Sequence, residues 1–422
     1  MKEINASEFE QIISSGENVL VDFYSTECPP CEALAPKLEG LEKLFGEEIK
    51  FVKIFRQGNR ELAESLGIKS SPTLLFYQGG EEVCARLNGG IKRSEIIREL
   101  KHIIGKEKVN SISSAVEPTV TQVDVAILGA GPGGLTAGLY LCQAKINTVL
   151  VDIALPGGNV STTHMVSNYP GFIDPQPGYM LSHYMSEQTK RCGTTYKVAV
   201  DVTHVDLDKK EITIDGLETI KAKRIIIATG TSPNKLHIPG EMEYKGQGIS
   251  YCATCDAKYF VDKEVVVIGG GNSAIEEADF ISKFASKITI VHQFDKLQAN
   301  KMAQEKAFAN PKIKFLFEHE PRAFRKEGDK MLVDVEDLKT KETKTLTTDG
   351  VFVFIGLKPN LELFKDKLKL DQWGYIVTDE DKKTSIDGVY AVGDVTSKKY
   401  RQITTAIADG TIAAIAITKE IG

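Results

Sequence analysis

The chain has little of what would mark several large function classes. It holds one tryptophan and seven methionines among 422 residues. No apolar run reaches the roughly 20 residues of a membrane span. The nearest, close to the C-terminus, is broken by Asp409 and Gly410. The opening stretch, MKEINASEFEQIISSGENVL, lacks the basic and apolar regions of a secretory signal, so a cytoplasmic location is expected. There is no basic excess. Lys and Arg number 52 against 58 Asp and Glu, a net charge of −6, which argues against a nucleic-acid or membrane-surface binder. No His or Cys lies near another at metal-ligand spacing with enough further donors, and no metal is expected.

What is present is cysteine in pairs. Of seven cysteines, four fall in Cys28-Pro-Pro-Cys31 and Cys252-Ala-Thr-Cys255, while Cys84, Cys142 and Cys192 are scattered. In a reducing compartment such pairs are usually catalytic or metal-bound rather than structural. Two residues between cysteines at a turn let the thiols close a disulfide. Two such dithiols on one chain can pass an electron pair by thiol–disulfide exchange.

The two pairs lie in different surroundings. Residues 18–24 read as a buried strand, followed by Cys28 and a helical pattern through Leu44. A helix N-terminus there lowers the pKa of the first thiol, and prolines fit the first helical positions. Further strands at 49–55 and Thr73–Tyr77, with helices at Glu61–Leu66 and Ser94–Ile104, complete a small α/β domain over residues 1–105. Asp22, at the strand end, is a candidate buried proton acceptor. Ser71-Pro72 is a candidate cis-proline turn. Residues 106–122 are polar and Ser-rich and read as a flexible linker, about 20–25 Å long as coil.

From Val123 a strand–turn–helix–strand unit begins. Its turn carries Gly129, Gly131, Pro132, Gly133 and Gly134, and its second strand ends at Asp152. Glycines there permit the turn and let the backbone approach a pyrophosphate at the helix N-terminus, with the acid placed for a ribose hydroxyl. The unit recurs at Glu264–Ile268, with Gly269, Gly271, Asn272, Ser273 and Ala274 in the turn and Lys287–His292 as the second strand. No acid ends that strand; His292 and Gln293 stand there instead. The expected fold is therefore α/β throughout, with two nucleotide-binding units, the second inserted into the domain of the first.

These residues carry two resemblances. Residues 1–105 resemble thioredoxin through Val21-Asp22-Phe23, Cys28–Cys31, Lys53 and Ser71-Pro72-Thr73. Residues 121–422 resemble the low-molecular-weight bacterial-type thioredoxin reductases. The matching stretches are Gly129–Gly134, Gly157-Gly158-Asn159, Asn168–Gly171, Ala228-Thr229-Gly230, Cys252–Asp256, Gly269–Ala274, Gly393-Asp394 and Arg401-Gln402.

The resemblance implies a thioredoxin fold followed by two Rossmann-like three-layer domains. An FAD-binding domain would comprise 123–232 and 362–422, and an NAD(P)-binding domain 233–361 would carry the redox pair. FAD would be held by the Gly129 turn with Asp152, Gly158, Asn159, Asn168, Ala228, Gly230, Gly393, Asp394, Arg401 and Gln402. Cys255 would take electrons from the flavin. Cys252 would attack the thioredoxin disulfide, with Asp256 as general acid. Members of the family are homodimers that swing the nicotinamide domain between two positions, which places hinges near Ser232–Leu236 and Lys358–Leu361. Protein disulfides, a peroxiredoxin or a free thioredoxin are the expected acceptors.

The chain departs from these patterns. Glu27 and Pro29 stand where thioredoxins usually have Trp and Gly, so the redox potential of Cys28–Cys31 is not transferable; a carboxylate beside Cys28 disfavours its thiolate. The thioredoxin-like part is N-terminal, as in the flavoprotein subunit of alkyl hydroperoxide reductase, where the N-terminal region is longer. Gln293, Phe294 and Gln298 occupy the positions at which NADPH users of the family carry arginines for the 2′-phosphate. Neither Gln nor Phe supplies a charged fork. NADH is therefore favoured over NADPH, or both are used weakly, with Lys296 and Lys301 as partial substitutes. An alternative keeps the flavoprotein but makes the N-terminal domain a docking or redox-sensing module.

Overall fold

The computed structural model describes residues 1–163, 165–166 and 168–421, without the side chains of Thr254, Cys255 and Lys365. The chain forms two compact units. One comprises Met1–Gly158, Ser182–Thr229 and Leu361–Gly422; the other comprises Asn159–Leu181 and Gly230–Asn360.

The first unit begins with β1 (Lys2–Glu3), α1 (Ala6–Ser14), β2 (Val19–Tyr24), α2 (Pro29–Phe45), β3 (Lys50–Phe55), α3 (Arg60–Ser65), β4 (Thr73–Gln78), β5 (Glu81–Asn88) and α4 (Arg93–Ile104). The strands make one sheet in the order β1-β3-β2-β4-β5. β3 runs parallel to β2, and β4 antiparallel to it. The β2 run is apolar on both faces because helices cover both sides. Leu20 joins Leu34, Leu38 and Leu100 on one face, while Val19, Val21 and Phe23 join Phe9 and Ile54 on the other.

The segment expected to be a flexible linker is structured. It forms α5 (Lys106–Ser114) and then enters β6 (Thr119–Leu128). Val109 is fully buried in the same core as Leu34 and Leu38, with Ile112 packed against it. Two apolar residues three apart anchor this helix, and the polar remainder concealed it.

After β6 come α6 (Pro132–Gln143), β7 (Thr148–Asp152) and α7 (Gly178–Cys192). Strands β6, β7 and Glu218–Ile227 lie parallel, with Ile127 between Leu150 and Ile226. Val125 and Ile127 face one core, Ala126 and Leu128 the other, as helices or further strands cover both faces. Side chains of α2, α7 and the loop before α4 make polar contacts between the N-terminal α/β layer and the part that follows it. Lys37 Nζ donates to Ile91 O at 2.9 Å and Ala199 O at 2.6 Å. Lys92 pairs with Asp201 at 2.9 Å, and Lys190 pairs with Glu32.

The second unit holds a five-stranded parallel sheet in the order Ile249–Ser250, Gly350–Val353, Glu264–Ile268, Lys287–His292, Ile313–Phe317. It carries α8 (Ala253–Asp256) and α9 (Asn272–Ile281). A three-stranded antiparallel sheet over His319–Thr348 packs beside it. Thr231–Pro233 pairs antiparallel with Leu357–Pro359, and Ser232 Oγ donates to Asn360 Oδ1 at 2.6 Å. Among the described residues, no helix is long and apolar enough to cross a membrane.

Candidate active site

Cys28 is the N-cap residue of α2, and Cys28 and Cys31 are joined in a disulfide with Cα atoms 5.3 Å apart. Cys31 N donates to Cys28 Sγ at 3.3 Å, so the backbone at the helix start points at the first sulfur. Such a donor stabilises a thiolate once the bond is reduced. The Ser71-Pro72 bond is cis, and Ser71 O lies 3.5 Å from Cys28 Sγ. Glu27 is exposed and has φ +52, a left-handed conformation that glycine would favour. Its carboxylate thus stands in water, where its effect on Cys28 is screened.

Asp22 is buried in β2, and its Oδ1 has no partner among the described residues. Burial pushes its carboxyl up to about 7, against the attraction of Lys53. A carboxyl poised there can exchange a proton near neutral pH.

The first glycine turn is as tight as the spacing requires. Gly129 has φ +116, and a Cβ on it would lie 2.2 Å from Ala228 O. One on Gly134 would lie 1.9 Å from Gly129 O, and one on Gly133 would meet Ala406 O at 3.1 Å. Gly158 closes on Gly131, where its Cβ would come within 3.1 Å of Gly131 Cα. A Cβ on Gly131 would meet nothing nearer than 4.0 Å, which leaves open space over the start of α6. Pro132 is the first residue of that helix.

Asp152 is half-buried and ties this turn together. Its Oδ2 accepts from Ala130 N at 2.6 Å and its Oδ1 from Ala154 N at 2.8 Å. Spare lone pairs remain for a ribose hydroxyl. Gly393 N donates to Asp409 Oδ2 at 3.0 Å, which positions Asp394. Asp394 Oδ1 is buried without a partner among the described residues. Burial holds its carboxyl above the ordinary range, against Lys398 and Arg401. Arg401 donates to Asp394 O at 3.2 Å and lies 3.7 Å over the Tyr375 ring. Gln402 is exposed beside it.

The second unit gathers a different set. Cys252 is disulfide-bonded, and its Sγ lies 3.7 Å from Thr162 O. The expected partner, Cys255, has its side chain outside the described residues. Cys252 N donates to Ser250 Oγ at 3.0 Å, and Asp256 N donates to Cys252 O at 3.3 Å as α8 turns. A cavity of ≈ 180 Å³ is lined by Cys252, Tyr251, Asn159, Ser273, Glu277 and Phe354, among others. Asn159 Nδ2 donates to Thr231 O at 3.0 Å, which orients it at the cavity wall. Asn168 is exposed, and Gly230 has φ +62, its carbonyl accepting from Asn360 N at 3.1 Å.

The second turn repeats the first in backbone. Gly269 has φ +127, and its Cβ would meet Phe354 O at 2.2 Å; Gly271 has nothing within 4 Å. Ala274 is fully buried against the strand. Asn272 Oδ1 accepts from Asn300 N at 2.7 Å. His292 is buried, and a Cβ on Gly270 would strike its ring at 2.6 Å. Gln293, Phe294 and Gln298 are exposed.

Residues 123–410 match the pyridine nucleotide-disulphide oxidoreductase family, and residues 1–102 match thioredoxin. The chain belongs to the pyridine nucleotide-disulphide oxidoreductase family. It is 44% identical over 305 residues to a thioredoxin reductase of Peptoclostridium acidaminophilum, covering 71% of this chain and 96% of that protein. It is 42% identical over 294 residues to a thioredoxin reductase of Bacillus subtilis strain 168, covering 69% and 92%. The crystal structure of Lactococcus lactis thioredoxin reductase, in the FR conformation, superposes with TM-score 0.67 at 39% identity, covering 70% of this chain and 98% of that one.

The chain is thus an FAD-dependent oxidoreductase of thioredoxin reductase type with an N-terminal thioredoxin domain. Its residues fit the flavin. The open space at Gly131, the helix N-terminus behind it and an Asp394 oxygen with no partner among the described residues are what a pyrophosphate and a polar flavin or ribitol group require. Two residues escaped the sequence reading. Glu277 lies one turn beyond Ser273 on α9 and lines the Cys252 cavity, where burial pushes its carboxyl up to about 7. The i, i+4 spacing from Ser273 was the available signal. Glu241, fully buried, accepts from Leu236 N at 2.8 Å, His237 N at 2.6 Å and the Tyr251 hydroxyl. Nothing near it in sequence announces that role.

Proposed function

We propose that this chain reduces protein disulfides through a thioredoxin it carries itself. Electrons pass from NAD(P)H by way of FAD to Cys252–Cys255, then to Cys28–Cys31, then to a protein disulfide or a peroxiredoxin. The domains would be 1–105, 123–232 with 362–422, and 233–361, and the assembly a homodimer. The observation that carries this reading is the Cys28–Cys31 disulfide at the start of α2, on the same polypeptide as the reductase-type Cys252 site.

The chemistry that bound FAD supplies is two-electron exchange between a nicotinamide hydride and a dithiol. The Gly129 turn, Asp152, Gly158, Asp394 and Arg401 would hold it. The reduced Cys252 thiolate attacks Cys28 Sγ, the Cys28–Cys31 bond breaks, and Cys31 leaves as a thiolate. Asp22 and Asp256 would exchange protons with the two pairs. Cys255 then attacks Cys252, restoring that disulfide and releasing Cys28 as a thiolate. The electron pair has moved from one dithiol to the other, and Cys28 attacks the external disulfide.

NADH is the favoured donor, because exposed Gln293, Phe294 and Gln298 offer no charged fork to a 2′-phosphate. A second reading, in which the N-terminal domain docks or senses rather than relays, draws on the contacts of Lys37 with Ala199 O and Lys92 with Asp201. Cys28→Ser separates the two. Relay requires loss of protein-disulfide turnover while nicotinamide still reduces the flavin and Cys252. Unchanged turnover with external thioredoxin would support docking.

A further inference from the structure

Three cysteines lie outside both dithiols, and two of them meet. Cys142 is the penultimate residue of α6, and Cys192 is the last of α7. The Cys142 thiol donates to Cys192 O at 2.6 Å, while Cys192 Sγ lies 3.8 Å from Leu139 O, back on α6. This meeting is held by buried polar bonds on either side. Thr189 Oγ1 donates to Leu135 O at 3.0 Å, and Thr194 Oγ1 donates to Gly138 O at 3.0 Å. The α7 terminus is therefore pinned along α6 over two turns, with the thiols at the outer end. The chain turns away at Gly193, with φ +113, where a Cβ would lie 3.4 Å from Cys142 Sγ. Both cysteines are free and only half-buried, so a small oxidant can reach them.

We propose that Cys142 and Cys192 are a third redox pair, which a hydroperoxide converts to a disulfide joining the ends of α6 and α7. One thiolate attacks a peroxide oxygen, the O–O bond breaks, and water or an alcohol leaves with formation of a sulfenic acid. The second sulfur attacks the sulfenic sulfur, the S–O bond breaks, and hydroxide leaves as water with the thiol proton. Two electrons pass from the sulfurs to the peroxide. The bond ties down the helix whose other end opens the dinucleotide turn at Gly131. Burial and the Cys142 thiol push the Cys192 thiol up, with Lys145 opposing, which slows attack by its sulfur.

The test uses the full-length flavoprotein with the Cys28 and Cys252 pairs oxidised. Denaturation and alkylation should then label three cysteines, Cys84, Cys142 and Cys192. After exposure to hydrogen peroxide the count should fall from three to one, and non-reducing peptide mapping should recover a Cys142–Cys192 crosslink. Three labelled cysteines, a sulfinic acid at either position, or a bond from either to another cysteine would overturn the proposal. In Cys142→Ser, no disulfide from Cys192 should form after the same exposure. A Cys192 disulfide to another cysteine there would equally contradict it.

Discussion

Gly129 and Gly269 sit alike. Each has a positive φ, and a Cβ on either would come within 2.2 Å of a carbonyl oxygen, Ala228 O or Phe354 O. What stands beyond the two turns differs. The strand after the first ends in Asp152, whose oxygens fasten the backbone at Ala130 and Ala154. The strand after the second ends in His292, whose ring fills the space under Gly270, followed by exposed Gln293 and Phe294. The first turn is braced by those bonds, and the buried Asp394 oxygen, with no partner among the described residues, would add a further grip on a retained ligand. The second offers backbone and packing but few charged partners, which suits a nucleotide that must come and go. On the proposed function, one backbone motif would serve retention or exchange according to the side chains around it.

The largest effect should come from breaking the electron path between these turns and the substrate. Cys252→Ser should lower protein-disulfide turnover by about 10³-fold or more while nicotinamide still bleaches the flavin, measured by anaerobic stopped flow. Next comes the contrast between the turns. Gly131→Ala and Gly271→Ala both place a methyl in open space, so both should fold. The first should lose bound flavin, read from the absorbance ratio of purified protein. The second should keep its flavin and raise KM for the nicotinamide about tenfold. Loss of flavin from both, or from neither, would dissolve the contrast.

Donor choice should respond to charge at the second turn. Gln293→Arg with Gln298→Arg should raise kcat/KM for NADPH relative to NADH by about 10-fold or more, the scale of a charge-assisted hydrogen bond. A wild-type enzyme already much faster with NADPH would refute the assignment.

The smallest effect concerns stability. Asp22 has a folded pKa raised from 3.8 to about 7, so folding favours its protonated form. Its contribution is fully present below 3.8 and is lost as pH rises through about 7. Asp22→Asn should therefore flatten the pH dependence of the denaturant midpoint across that window. An unchanged slope would show that Asp22 is not buried as a carboxylic acid.

Much of this was legible in the residues. Apolar runs such as Val19–Tyr24 and Val265–Ile268 read as strands buried on both faces, and glycines at fixed spacing marked the turns. The helix Lys106–Ser114 was not legible, because only Val109 and Ile112 anchor it among polar neighbours. Glu277 had only its i, i+4 spacing from Ser273 as a cue, because the rest of its cavity comes from distant segments, and Glu241 is buried by a fold of its own neighbourhood that its polar character does not announce. The meeting of Cys142 and Cys192 likewise depends on how α7 returns along α6, which spacing alone does not disclose.

The central claim is that one chain connects its nicotinamide site to both dithiols. Anaerobic titration of the full-length flavoprotein with NADH, with Cys142 and Cys192 reduced at the start, tests it most directly. Flavin bleaching and thiol release should together account for about six electrons per chain, one pair each for FAD, Cys252–Cys255 and Cys28–Cys31. An endpoint of about four, with Cys28–Cys31 still oxidised, would contradict it.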